Sequence, residues 1–193
     1  MEGHFMKEKL LLHSCCAVCS SHVIYILAND YDLSVFYYNP NIWPVEEYEH
    51  RKNEQIRLLN TASFCKGIDY YDLDYDHNEY LNAVIGLEKE KEGGLRCNEC
   101  FRLRLEKTAK FAKDNNFDIF CTTLTVSPHK NSKLINQIGS EIGIKENIKW
   151  LESDFKKKDG YLHSTQLAKE YDLYRQDFCG CEFAWRGKNS IQK

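Results

Sequence analysis

Seven of the nine cysteines in this 193-residue chain fall into three short-spaced groups: Cys15-Cys16-x-x-Cys19, Cys97-x-x-Cys100 and Cys179-x-Cys181. Thiolates at such spacings bind soft metals, namely iron, iron–sulfur clusters or zinc. Cys97 and Cys100 at the start of a helix would stand one turn apart on one face, where the helix N-terminus stabilises their negative charge. Cys179-Gly180-Cys181 is tighter, and its glycine lets the backbone bend close to a ligand. The side chains of the vicinal pair Cys15-Cys16 are expected to point apart, so the pair can serve two metal positions. A cubane cluster takes four thiolates and a structural zinc takes four ligands, so seven thiols exceed one site by three. One four-thiolate cluster plus a separate ion held by three, with a coordination position left open, accounts for all seven. An open position marks a catalytic rather than a structural metal. A closed structural zinc with surplus cysteines is the simpler alternative. Cys65 and Cys121 stand alone and read as small buried hydrophobes.

Other polar residues near these groups have a plain and a functional reading. His13 and His22 flank the first group, but a lone histidine is more often a hydrogen-bonded structural residue than a ligand. Asp177, beside the third group, reads either as a proton donor or as a solvated carboxylate. The loop Ser127-Pro128-His129-Lys130 has the composition to bind phosphate through backbone amides and Lys130; alternatively, Asn131 simply caps the following helix. Arg102, Arg104, Lys107, Lys110, Lys113 and the run Lys156-Lys157-Lys158 form basic stretches. These are ordinary solvated faces unless they border the metal site, in which case they suit RNA.

Composition places the chain in one class. It is 42% apolar and 28% charged, as in a globular protein, and its length fits a single domain over 1–193. Its net charge of -3 creates no global attraction for nucleic acid, so an RNA partner would need a local basic face. The apolar run Leu10-Leu11-Leu12 is too short for a signal-peptide core, and no stretch approaches a membrane span. A cytoplasmic protein is expected, and a reducing cytosol disfavours disulfides as the use of these cysteines. Neither a Ser-Gly-Gly-x-Asp-Ser nor a Gly-x-x-x-x-Gly-Lys phosphate loop is present, and there is no flavin or nicotinamide fingerprint.

Strands are expected at residues 7–13, 33–38, 68–73, 117–123 and 148–151, with helices at 20–29, 44–59, 76–85, 97–113, 132–142 and 161–171. Alternation of strand and helix implies right-handed crossovers and a parallel sheet covered on both faces. In such sheets ligands bind beyond the carboxyl ends of the strands. The first cysteine group, the turn Asn39-Pro40-Asn41 and the Ser127-Pro128 loop all follow strands and so belong on that edge.

Five ordered stretches then stand out: His13-Ser14-Cys15-Cys16-Ala17-Val18-Cys19, Tyr38-Asn39-Pro40-Asn41-Ile42, Arg96-Cys97-Asn98-Glu99-Cys100-Phe101-Arg102-Leu103-Arg104, Thr122-Thr123-Leu124 with Ser127-Pro128-His129-Lys130, and Arg175-Gln176-Asp177-Phe178-Cys179-Gly180-Cys181. Together they resemble the QueH-type epoxyqueuosine reductases over nearly the whole chain. The resemblance implies reductive removal of the epoxide oxygen of epoxyqueuosine at the wobble position of tRNA, giving queuosine. It also implies a [4Fe-4S] cluster, an adjacent open-site metal ion that would be iron, an electron donor, and a three-layer α/β fold like the adenine nucleotide alpha-hydrolases (HUP). Under it the cubane takes Cys97, Cys100, one of Cys15 and Cys16, and one of Cys179 and Cys181, assigned as Cys15 and Cys179. Cys16, Cys19 and Cys181 would then hold the second ion, and Asp177 would donate a proton. Some family members carry Asp at the Cys19 position, and either residue type can bind iron. Two rivals stand beside this reading: a zinc-stabilised RNA-binding protein without catalysis, and a thiol oxidoreductase using Cys97 and Cys100.

Overall fold

The computed structural model describes residues 7–184. The expected tail at residues 175–185 therefore ends at Trp185, just outside the described residues.

The run Lys9–His13 forms β1, and its three leucines are fully buried. A strand apolar on both faces belongs in the middle of a covered parallel sheet. β2 (Asp32–Tyr37), β3 (Asp69–Asp72), β4 (Ile119–Thr122) and β5 (Lys149–Trp150) complete a five-stranded sheet in the order β3-β2-β1-β4-β5. All its pairings are parallel. The period-2 alternation of strand side chains sorts the core into two layers. Leu10, Leu12, Val35 and Cys121 pack against α1 (Ala17–Leu27) and α2 (Val45–Thr61), while Leu11, Phe36 and Phe120 pack against α4 (Leu95–Asp114) and α5 (Ser132–Glu146). A short α3 (His77–Ala83) leads towards α4, and α6 (Gly160–Glu170) lies against α1. This is the expected single three-layer sheet.

Local signals account for the boundaries. The Asp76 side chain accepts from the Asn78 amide at the start of α3, and Asn131 accepts from the Leu134 amide 3.2 Å away at the start of α5. Helix α5 runs on past residue 142 and ends in left-handed Asn147 (φ 54°), a common helix stop. Two helices begin earlier than expected, with a chemical consequence. Cys16 is the N-cap of α1, which places Cys19 inside its first turn, and α4 starts at Leu95, which places Cys97 inside its first turn. Cys65 and Cys121 are core residues, and burial pushes both thiols up. No helix among the described residues is long and apolar enough to cross a membrane.

The chain leaves β1 towards β2 on one side, and β4 joins β1 on the other. The carboxyl ends of β1 and β4 thus flank the point where the strand order reverses, the place where such sheets open a crevice. Cys15 follows β1, and its amide donates to Thr123 Oγ1 just after β4 at 3.1 Å.

Candidate metal centre

The first thiol group is held from below by the end of β1. His13 is fully buried, with Nε2 3.1 Å from the Tyr38 carbonyl and Nδ1 2.8 Å from Thr122 Oγ1. A carbonyl only accepts, so Nε2 carries the proton and Nδ1 accepts from the threonine hydroxyl. Burial, reinforced by the Arg104 charge, lowers the His13 pKa to about 4, and the ring stays neutral. Ser14 and Ser20 both donate to Gln55 Oε1, at 2.6 and 2.7 Å, and Asn39 Nδ2 donates to the Ser14 carbonyl at 2.9 Å. The turn carrying the cysteines is thereby clamped between α2 and the loop after β2.

On that base the Sγ atoms of Cys15, Cys16 and Cys19 all lie within 4.8 Å of one another. The vicinal sulfurs are 3.9 Å apart, so they do not point apart as expected. Strict side-chain alternation holds within a strand, and here the strand has already ended at His13. Hydrogen bonds from Cys16 and Cys19 draw the Cys15 thiol well below its usual range, helped by Lys130 and by the Thr123 hydroxyl 3.3 Å away. The same bonds push Cys16 up to about 11 and Cys19 well up. The hydrogen bonds of the group are thus concentrated on one sulfur.

The other two groups meet through Cys100 and Cys181. Cys100 and Cys181 are buried in one small apolar cluster with Tyr80 and Val84, and Cys179 packs on its rim. Tyr80 Oη lies 2.9 Å from Cys181 Sγ. Bonds from the Cys179 thiol and from Tyr80 pull the Cys181 thiol down to about 5 against the effect of burial, while Cys179 is pushed up. Burial raises Cys100. Cys97 accepts a hydrogen bond from the Gly93 amide at 3.1 Å.

The segment bearing Cys179 and Cys181 has little regular structure of its own and is fastened from outside. Ile42 and Cys181 form an isolated antiparallel bridge, and the Trp43 amide donates to the Gly180 carbonyl at 2.8 Å. Arg51, only 3% exposed, donates to the carbonyls of Cys179 and Phe178 at 3.4 and 3.3 Å. Its Nε is held by Glu47 at 2.6 Å, and its guanidinium stacks 5.0 Å over the Phe178 ring. Gly180 needs to be glycine: its φ is +97°, and a Cβ there would meet Ile42 Cγ1 at 2.8 Å.

Common neighbours connect the two sides. Cys15 and Cys97 pack against the same apolar layer, and the Lys130 charge acts on both Cys15 and Cys100. Arg104, expected on a basic face, is instead buried, with Nε 3.1 Å from the Cys100 carbonyl and Nη1 3.4 Å from Asn39 Oδ1. Arg102 and Lys107 are paired with Glu141 and Glu79. The phosphate-loop expectation changes as well, because the amides of His129 and Lys130 bond to Ser127 and only the Lys130 side chain remains for a ligand. Asp177 is exposed and makes no side-chain hydrogen bond among the described residues. His22 bonds His163, with Nδ1 atoms 2.9 Å apart, and packs α1 against α6. Arg51, Gln55 and Tyr80 were not singled out by the sequence. No local pattern marks them, since each acts on residues far away in the chain.

The site's residues fit a thiolate-bound metal group. All nine cysteines are free thiols. Buried side-chain oxygens of Asn41, Asn98 and Gln176, each in sequence close to a cysteine or to its bridge partner, lack any hydrogen-bond partner, as does Gln55 Nε2 under the first group. Orphaned polar atoms concentrated around one site are the mark of a missing ligand shell.

The family model of the epoxyqueuosine reductase QueH matches residues 10–187. A Streptococcus pyogenes protein named epoxyqueuosine reductase QueH is 41% identical over 185 residues, which span 95% of this chain and 72% of the relative. A Staphylococcus epidermidis protein of the same name is 40% identical, over 92% of this chain and 76% of its own length. A third, from Thermotoga maritima, is 34% identical, over 91% of this chain and 89% of its own length. A crystal structure of a predicted subunit of tRNA methyltransferase from Methanocaldococcus jannaschii superposes with a TM-score of 0.55 at 16% identity, covering 84% of this chain and 74% of that one. That likeness concerns the fold alone and agrees with a HUP-like α/β architecture. The chain belongs to the QueH family of epoxyqueuosine reductases, which are oxidoreductases.

Proposed function

We propose that this single-domain protein, working in the cytoplasm, removes the epoxide oxygen of epoxyqueuosine at the wobble position of tRNA to give queuosine. In balance, the epoxide takes up two electrons and two protons, both C–O bonds break, a carbon–carbon double bond forms, and the oxygen leaves as water. An electron donor outside the chain supplies the electrons. The observation that carries the reading is the close grouping of the free thiols Cys15, Cys16 and Cys19 just beyond β1, with Cys100 and Cys181 buried together in a second cluster.

Cys97 and Cys100, with one thiol from each of Cys15/Cys16 and Cys179/Cys181, would hold a [4Fe-4S] cluster, and the remaining thiols with Cys19 would hold an iron ion. When bound, the cluster supplies one-electron transfers and the ion supplies Lewis acidity. The protein's own groups do the rest. The Lys130 charge favours the thiolate forms of Cys15 and Cys100. Tyr80 fixes Cys181 through its hydroxyl. Asp177 is proposed as the proton source, since it is exposed beside the third group and free to reach a bound substrate.

The 4.8 Å grouping of Cys15, Cys16 and Cys19 favours a second division, in which these three hold the ion and the other four hold the cluster. Cys15→Ser and Cys16→Ser, made singly, separate the two: the first division loses the cluster in one of them, the second in neither. Loss of acid-labile sulfide indicates a cluster ligand, whereas loss of one iron with sulfide retained indicates an ion ligand. The activity itself is tested by incubating reconstituted protein with epoxyqueuosine-bearing tRNA and a reductant, and measuring queuosine by mass spectrometry. No conversion with an intact cluster would sink the assignment.

A further inference from the structure

We propose that the strap between β5 and α6, together with the loop before α5, is the surface that grips the anticodon loop of the tRNA. In this arrangement Lys133, Lys157 and Lys158 contact phosphates, and Tyr161 stacks on a base. The inference rests on the proposed function and says where on the protein its substrate lies.

Position is the first argument. The strap follows β5 at the carboxyl edge of the sheet and is tied down on the loop that carries Lys130. The Lys156 amide donates to the Thr125 carbonyl at 3.2 Å, Lys156 Nζ to the Lys130 carbonyl at 3.2 Å, and Asn136 Nδ2 to the Ser153 carbonyl at 2.8 Å. Lys130 is the residue whose charge reaches Cys15 and Cys100. The far end of the strap is equally fixed. A Cβ on Gly160 would fall 1.8 Å from the Phe155 carbonyl oxygen and 2.6 Å from His22 Nε2, so the start of α6 is pressed against α1 one turn beyond Cys19. Tyr161 is the next residue.

Charge is the second argument. From 127 to 133 and from 154 to 159 the chain carries five lysines against two aspartates, in a protein whose net charge is -3. Among the described residues, Lys130, Lys133 and Lys158 have no ion-pair partner, and Lys157 meets only Asp154, at 3.5 Å with a side chain 77% exposed. A phosphate readily displaces so exposed a pair. On the other basic stretch, along α4, Arg104 is buried and Arg102 and Lys107 are already paired, which leaves Lys110 and Lys113 towards the far end of the helix, about 20 Å along it from Cys97.

Exposed apolar surface is the third. Tyr161 is 43% and Leu162 54% exposed, directly beside these lysines. Cations alternating with an exposed aromatic ring are how proteins hold single-stranded RNA loops: lysines follow the backbone and the ring stacks on an unpaired base.

The test uses the metal-loaded full chain and a fluorescently labelled anticodon stem-loop of the substrate tRNA, with dissociation constants read by anisotropy across a salt series. Neutralising three cations (Lys133→Gln, Lys157→Gln, Lys158→Gln) is expected to weaken binding by about tenfold or more and to flatten the log–log salt slope by about two. Tyr161→Ala is expected to weaken binding about five- to a hundredfold with the slope unchanged, and Tyr161→Phe to restore it. Lys66→Gln, just before β3 at the opposite edge, is expected to change nothing. Visible absorbance of the metal centre and the thermal unfolding midpoint should match wild type in every variant. If wild type binds and reduces the tRNA while the triple variant and Tyr161→Ala bind equally well, the surface is wrong and the function stands. If wild type neither binds nor converts the tRNA, both fall.

Discussion

Cys15, Cys16 and Cys19 stand where a central strand, buried from Leu10 to His13, runs into a helix, and a neutral histidine, two serines and a glutamine lock the turn beneath them. Cys179 and Cys181 stand on a segment with little secondary structure, hung from α2 by one buried arginine and from the loop after β2 by an isolated bridge. Both groups must present sulfur at fixed positions, and both concentrate hydrogen bonds on one thiol. The first inherits its position from the hydrophobic core, whose many contacts share the load. The third depends on a handful of polar contacts, so single substitutions should release it while the fold survives.

Arg51→Met should show the largest effect. It strips donors from two carbonyls and leaves Glu47, itself largely buried, without its cationic partner and held only by the Tyr174 hydroxyl. The expected cost is about 3 kcal/mol of stability by urea unfolding, together with a clear loss of bound iron. Retention of wild-type iron and stability would mean that the bridge at Ile42 alone positions the third group.

The first group carries a pH signature in the buried histidine beneath it. The folded His13 has a pKa of about 4 against an unfolded value of 6.5, so the unfolded chain binds a proton in that window and the folded chain does not. Stability from this group is therefore complete above pH 6.5 and falls as pH drops towards 4. Between pH 7 and 5 the metal-free protein should lose about 2 kcal/mol on this account. Urea midpoints of wild type and His13→Gln at the two pH values check it, the variant being expected to lack that share of the decline. Parallel declines would show that His13 is not held neutral.

Tyr80→Phe should have the smallest effect on the fold, about 1 kcal/mol for one hydrogen bond to sulfur. Because hydrogen bonds to cluster sulfurs favour the reduced state, the reduction potential should become about 40 mV more negative if Cys181 is a cluster ligand. An unchanged potential would place Cys181 on the separate ion.

The contrast also explains what was legible in the sequence. Strand and helix periodicities are local, and every expected element is present; the sheet edge of the first cysteine group followed from its place after β1. Shifts of two or three residues at the starts of α1 and α4 were not visible, because Cys16 and Gly94 cap without side-chain hydrogen bonds and leave no signature. The burial of Arg104 within a charged stretch and the roles of Arg51, Gln55 and Tyr80 depend on contacts across 30 to 130 residues, which no local pattern encodes, and the convergence of the vicinal thiols follows from β1 ending at His13. The third group was recognisable by its spacing, yet everything that holds it lies elsewhere in the chain.

The central claim is that thiols from both groups form one redox centre containing a cluster and a separate ion. Anaerobic purification followed by iron, zinc and acid-labile sulfide analysis tests it most directly. The account predicts brown protein with about five irons and about four sulfides per chain. Colourless protein that holds zinc and no sulfide would contradict it.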